Sequence, residues 1–236
     1  MEALLTEPVE TGREKYTANR SKLYSLFAEV FRYPDESFRR QAKNNDLENS
    51  LTFLIKSLPY RIEPDASLLA SLRILDGIED EEIETEFIRL FEAGPGSPPC
   101  PLAEGLFRED RKAIFKELIL FYNHFGLSYE EGSMEDRPDH LCYELEFLHF
   151  LTFKELLSVQ KDEDASPYVR AQRDFLERHL LSWIGKLLEK INKLRENLPD
   201  PEDACIEVFE FYRGIIHLLH EFIQKDHEYV NSLAKQ

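Results

Sequence analysis

Residues 208–222, Val-Phe-Glu-Phe-Tyr-Arg-Gly-Ile-Ile-His-Leu-Leu-His-Glu-Phe, decide the fold class. Val208, Phe211, Ile215, Leu218 and Phe222 recur at alternating steps of three and four residues. That spacing lines one face of an α-helix. The same pattern returns on moving outward along the chain. Leu23, Phe27, Val30 and Phe31 form a stripe closed by Pro34, and Leu47, Leu51, Leu54, Ile55 and Leu58 form one stopped by Pro59. Leu68, Leu69, Leu72 and Leu75 make a shorter one. Ile83, Phe87, Leu90 and Phe91 follow, with Gly94 as the expected C-cap. Ile114, Leu118, Phe121, Tyr122 and Phe125 run to Gly126. The spacing predicts a helix beginning at Pro138 and carrying Leu141, Leu145, Leu148 and Leu151. Another opens at Ser166-Pro167 and runs through Phe175, His179, Trp183 and Leu187. Strict apolar/polar alternation is absent. The expected fold is an all-α helical bundle of about eight to twelve helices.

Composition narrows the function. Of 236 residues, 42% are apolar and 12% aromatic, enough for a packed core rather than a disordered tail. Asp and Glu total 46 against 29 Lys and Arg, a net charge of −17. Such a surface repels phosphate backbones and suits a basic partner, so nucleic acid is not expected. No apolar run approaches the ~18 residues of a membrane span, and no stable membrane insertion is expected. The first residues, MEALLTEPVETGREKY, lack the basic-then-apolar layout of a secretory signal, so a cytoplasmic protein is expected. Cys100, Cys142 and Cys205 are odd in number and far apart, suiting neither a disulfide framework nor a zinc site.

One segment breaks the helical pattern. Residues 94–101, Gly-Pro-Gly-Ser-Pro-Pro-Cys-Pro, hold four of the twelve prolines and two of the nine glycines, which makes them a hinge or linker. It divides the chain into an N-terminal helical half (1–93), a hinge loop (94–105) and a C-terminal helical half (106–236). His217 and His220 share a helical face but lack a third ligand, so no metal site is expected. No nucleophile elbow or phosphate-binding loop occurs. Glu79, Asp80, Glu81, Glu82, Glu84 and Glu86 crowd one helix start, matching its dipole or forming an acidic rim. The segment 135–148, Glu-Asp-Arg-Pro-Asp-His-Leu-Cys-Tyr-Glu-Leu-Glu-Phe-Leu, places Asp139, His140 and Glu144 in two turns, with His140 and Glu144 spaced to pair. The residues alone leave three readings open: a capped helix with an internal ion pair, an acid/base set, or a polar anchor for a ligand.

Two segments together resemble the TorD/DmsD/NarJ group of maturation chaperones for molybdenum-containing oxidoreductases. One is Glu86-Phe-Ile-Arg-Leu-Phe-Glu-Ala-Gly-Pro-Gly96 with the prolines and Glu104-Gly-Leu-Phe107 that follow; the other is 135–148. The resemblance implies a helical, hinged, cytoplasmic protein without catalytic residues or cofactor. Its partner would be the precursor of a molybdoenzyme catalytic subunit, held by its basic twin-arginine leader until cofactor insertion. Leader-binding residues carried over by position are Phe87, Leu90, Phe91, Pro101, Glu104, Asp139, His140 and Glu144. The resemblance also allows a monomer or a domain-swapped dimer. Pro101-Leu-Ala103 departs from the Pro-Pro-Trp of many members, implying a differently shaped groove. In this reading acidic groups steer the arginines, apolar contact holds the leader, and His140, kept protonated by Glu144, anchors it. The alternatives are a generic helical adaptor or an enzyme built on Asp139, His140 and Glu144.

Overall fold

The computed structural model describes residues 12–43, 46–63, 72, 75–127, 137–197 and 205–235. Most of these residues are helical. The elements are α1 (Gly12–Val30), α2 (Glu36–Lys43), α3 (Asp46–Lys56), α4 (Asp80–Phe87), α5 (Arg111–His124), α6 (Leu141–Gln160), α7 (Ser166–Phe175), α8 (Leu181–Glu196) and α9 (Ile206–Leu233). Short 3₁₀ turns stand at Leu75–Gly77 and Glu104–Leu106. Among the described residues the one β feature is an isolated antiparallel bridge between Ala103 and His140.

The deciding stripe lies in α9, 28 residues and about 42 Å long. Val208, Phe211, Ile215, Leu218 and Phe222 are all buried, and so are Phe209, Tyr212, Ile216, Leu219 and Ile223. A helix buried on so wide a face is central: α9 packs against α4, α7 and α8, while α1 lies along α6. Buried residues from both sides of 94–105 fall in one hydrophobic cluster, so the chain halves share a core.

A polar knot runs through this core. Arg20 of α1 is fully buried and donates to Asp226 of α9 (Nε–Oδ1 2.5 Å, Nη2–Oδ2 2.9 Å), to Glu155 of α6 (3.2 Å) and to Gln172 of α7 (2.7 Å). Tyr24 and Tyr60 donate to the same aspartate at 2.7 and 2.6 Å. Satisfied donors and acceptors make such burial tolerable.

Several boundaries differ from the sequence reading. The helix expected from Pro138 begins at Leu141, with His140 as its N-cap. Ser166, expected as an N-cap ahead of Pro167, is itself the first residue of α7, with Ala165 as its N-cap and proline in the first turn. The stripe expected to continue from Phe175 to Leu187 is interrupted by a π turn at Leu176–Leu180, and a second π turn occupies Ile88–Glu92. Side-chain periodicity does not register the one extra residue that such a turn inserts. Gly94 is not a left-handed cap: Ala93 ends the turn, and a Cβ on Gly94 would lie 2.3 Å from the Ser97 carbonyl oxygen. Gly126 does take positive φ (76°), and Gly126 and Leu127 donate back to Asn123 and Tyr122, a Schellman closure of α5. Leu68 and Leu69 lie outside the described residues.

Candidate functional site

The proline-rich segment is a strap stitched to the helices on both sides. Cys100 N–H donates to Leu90 in the Ile88–Glu92 π turn (2.9 Å). Leu141 N–H donates to Leu102, and Glu104 N–H to Asp139, both at 2.9 Å, giving the antiparallel bridge. Gly105 N–H donates to Asp139 Oδ2 at 2.8 Å. A Cβ on Gly105 would meet that same oxygen at 2.9 Å and Arg111 Cγ at 2.8 Å, so close approach requires glycine here. The two motif segments, joined by contacts 34 positions apart in sequence, therefore meet in one corner.

Three carboxyl groups are buried there without exposure: Glu104, Asp139 and Glu144. Asp139 takes both arms of Arg137 (3.0 and 2.8 Å). Glu104 accepts from Arg108, from Ser182 Oγ (3.3 Å) and pairs with His179 Nδ1 (2.9 Å). Glu144 Oε2 accepts from the Trp183 indole at 3.2 Å, while its Oε1 has no donor. Burial first, and the Glu104 carboxylate second, push the Glu144 carboxyl well above its ordinary value. The expected His140–Glu144 ion pair is not formed. His140 Nδ1 instead accepts from Cys142 N–H (3.3 Å) as the α6 N-cap. Burial pulls His140 down to about 4 despite neighbouring Asp139, so it is a neutral imidazole at pH 7 and not the protonated anchor expected from sequence.

The apolar members lie one layer deeper. Phe87, Leu90 and Phe91 are 2%, 0% and 5% exposed, and Pro101 is buried as well. Phe87 and Phe91 pack edge-on at 5.1 Å, and both meet Tyr212 of α9 (5.8 and 5.1 Å). The structure thus gathers Pro101, Glu104, Asp139, His140 and Glu144 around the bridge, and joins Leu90 to them through the Cys100 backbone bond. The solvent-facing apolar side chains of the motif segments are Ile88 (36%), Leu106 (40%) and Tyr143 (37%). Sequence reasoning missed the partners of the buried acids. Arg108 stands four residues after Glu104, a legible spacing. His179 and Trp183 showed only as members of an apolar stripe.

The acidic cluster of α4 is largely engaged within the chain. Asp80 binds Lys43 (2.6 Å) and Arg39 (3.1 Å), Glu84 binds Arg39 and Tyr33, Glu86 binds Arg89, and Glu79 with Glu82 forms a capping box. His217 contacts Asn192 and His220 contacts Gln224. Among the described residues no three metal-binding side chains converge. None of their helices is long and apolar enough to cross a membrane. A cavity of about 820 Å³ opens beside the C-terminal end of α3, lined by Ile55, Leu58 and Tyr60 among others, and none of the eight candidate residues reaches it.

Residues 63–189, which contain both motif segments, match the family model described as nitrate reductase delta subunit. The chain belongs to this family. It is 39% identical over 157 residues to the selenate reductase assembly chaperone protein of Thauera selenatis, covering 64% of this chain and 81% of that one. Over 193 residues it is 31% identical to the chlorate reductase assembly chaperone protein of Ideonella dechloratans, covering 81% and 86%. It is 24% identical over 217 residues to the chaperone protein TorD of Vibrio parahaemolyticus, covering 86% and 94%. All three relatives of this delta-subunit family protein are named as chaperones rather than as catalysts. The family is the one that the two motif segments resemble.

Proposed function

We propose that this protein is a non-catalytic assembly chaperone for a molybdenum-containing reductase. It recognises the basic leader, or the N-terminal region, of the catalytic subunit and holds that subunit for cofactor insertion. The likeness to named reductase assembly chaperones along most of the chain carries this reading. The corner supports it: Asp139 and Glu104 are tied to arginines and the His140 imidazole caps a helix, an arrangement suited to fixing a strap rather than to turnover. A net charge of −17 favours a basic client. In this reading the leader seats against the strap corner. Phe87, Leu90, Phe91 and Pro101 form the apolar floor, and Glu104, Asp139, His140 and Glu144 the polar frame. We place the protein in the cytoplasm, as a monomer or a domain-swapped dimer.

The test is calorimetry with the synthetic leader of the subunit that co-purifies from the native cell. Binding should be saturable and should weaken at least about tenfold when both leader arginines become lysine, because lysine cannot replace the guanidinium's paired hydrogen bonds. Equal affinity for the two peptides would refute leader recognition and leave a generic adaptor.

A further inference from the structure

The corner holds more buried acid than base. Arg137 is committed to Asp139, and Arg108 to Glu104. Glu144 has neither: its Oε2 receives the neutral Trp183 indole, and its Oε1, sealed from water, receives nothing. An ionised carboxylate in that position would be both desolvated and without a counter-charge, the costliest state for such a group. The Glu104 carboxylate is the neighbouring charge that, after burial, does most to disfavour ionisation of Glu144. A proton on Oε1 resolves the orphan oxygen and the repulsion together, because a carboxylic acid donates where a carboxylate only accepts.

We propose that Glu144 is a carboxylic acid sharing its proton with Glu104, and that this proton is a latch fixing the strap to α6. Glu104 belongs to the 3₁₀ turn of the strap, Glu144 to α6. The groups around the pair are Arg108 on the strap, Asp139 before α6 with its own neighbours Arg137 and His140, His179 in the Leu176–Leu180 π turn, and Ser182 and Trp183 of α8. None of them supplies a free positive charge to a second anion. Loss of the proton to solvent leaves two carboxylates in contact, and their repulsion falls on the strap, the one member held by a short turn rather than a long helix. As the strap lifts, Phe107 leaves its stack on Trp183 (5.3 Å between ring centroids). The latch holds whatever the opened corner binds, so it stands or falls apart from leader recognition.

Trp183 is the single tryptophan of the chain and reports the event directly. Its emission and its quenching by acrylamide are followed in the full-length protein from about pH 5 to about pH 9, below tyrosine ionisation. Exchange of the Gly105 and Leu106 amides is measured alongside. The wild type should show a one-proton transition in which emission shifts to the red and quenching rises. Over the same interval amide exchange should accelerate by more than the tenfold per pH unit of base catalysis. Glu144→Gln keeps an oxygen for Trp183 and offers a permanent N–H to Glu104, so it should abolish the transition. An unchanged transition in Glu144→Gln, or none in the wild type, overturns the proposal. Should Glu144→Gln not fold, carboxyl ¹³C resonances of the wild type decide. One buried glutamate must titrate well above 4.5, in step with Trp183, and its absence overturns the latch.

Discussion

Replacing Asp226 by alanine tests whether the knot around Arg20 holds the bundle together. Asp226 accepts two hydrogen bonds from Arg20 and one each from Tyr24 and Tyr60, with Arg20, Tyr24 and Asp226 fully buried. The alanine variant strands one face of a guanidinium and orphans two hydroxyls. Arg20 keeps Glu155 and Gln172, so the charge is not left bare, and the low end of the ~3–5 kcal/mol range for a broken buried pair applies. Two lost hydroxyl-to-carboxylate hydrogen bonds add about 1.5 kcal/mol each, largely recovered by rotation of the hydroxyls. The expected loss is about 4 kcal/mol, a large share of a total stability of roughly 5–15 kcal/mol. In urea titrations followed by circular dichroism, with an m-value of about 2–3 kcal/mol/M, the midpoint should fall by about 1.3–2 M. Arg20→Met combined with Asp226→Leu should lose clearly less than the sum of the two single changes, because it removes both charges. The folded-state emission of Trp183 should not move, since it lies outside this network. A midpoint drop below about 0.5 M, or strict additivity in the double variant, would refute the assignment of a stabilising role to the knot.

Three further outcomes are expected. His140→Ala removes the α6 cap and should cost about 1 kcal/mol in the same titration, whereas His140→Asn, which can still cap, should cost less than half of that. Stability should depend on pH with two opposite signs. His140, pulled to about 4 in the fold, favours the folded state at neutral pH and that contribution is lost as pH falls from 6.5 towards 4. Glu144, raised above 4.5, instead contributes a loss as pH climbs from 4.5 through its folded-state value, so Glu144→Gln should flatten the neutral-to-alkaline limb of midpoint against pH. Finally, the rate of leader association should drop as ionic strength rises while dissociation changes little, measured by stopped-flow with a labelled peptide.

The helices were legible because their apolar stripes are long and their stops are marked by proline or by Gly126. The strap was legible as an interruption, but not as a fixture. Nothing in Gly-Pro-Gly-Ser-Pro-Pro-Cys-Pro says that Leu102 and Glu104 will pair with residues 139–141. That pairing is made by backbone groups, which every residue carries alike. The same limit hid the true start of α6. Pro138 is a favoured first-turn residue, but residues 138–140 are held in the bridge and the turn before it, so helix can begin only at Leu141. The corner was singled out by motif, yet the pairing expected of His140 and Glu144 is not the one that forms. Helical spacing puts them within reach of each other. What decides is that Trp183 and Glu104 approach Glu144 from elsewhere in the chain, and that Cys142 N–H claims the imidazole.

The acid excess bears on the client in a way that the ion pairs do not cancel. Each internal pair, such as Asp139 with Arg137 or Glu86 with Arg89, removes one charge of each sign and leaves the net value unchanged. Glu144, protonated, lowers the magnitude of −17 by one. The remaining surplus stays uncompensated by the chain's own cations, and it acts as a field over the whole molecule rather than as a socket at one point. Glu104 and Asp139, the ionised acids of the corner, are already paired with Arg108 and Arg137. A guanidinium arriving from a leader must therefore either displace Arg108 or Arg137 or meet acids outside the corner. Charge reversal of exposed acids far from the strap should then slow association nearly as much as reversal near it, while substitutions inside the corner act on how long the client stays.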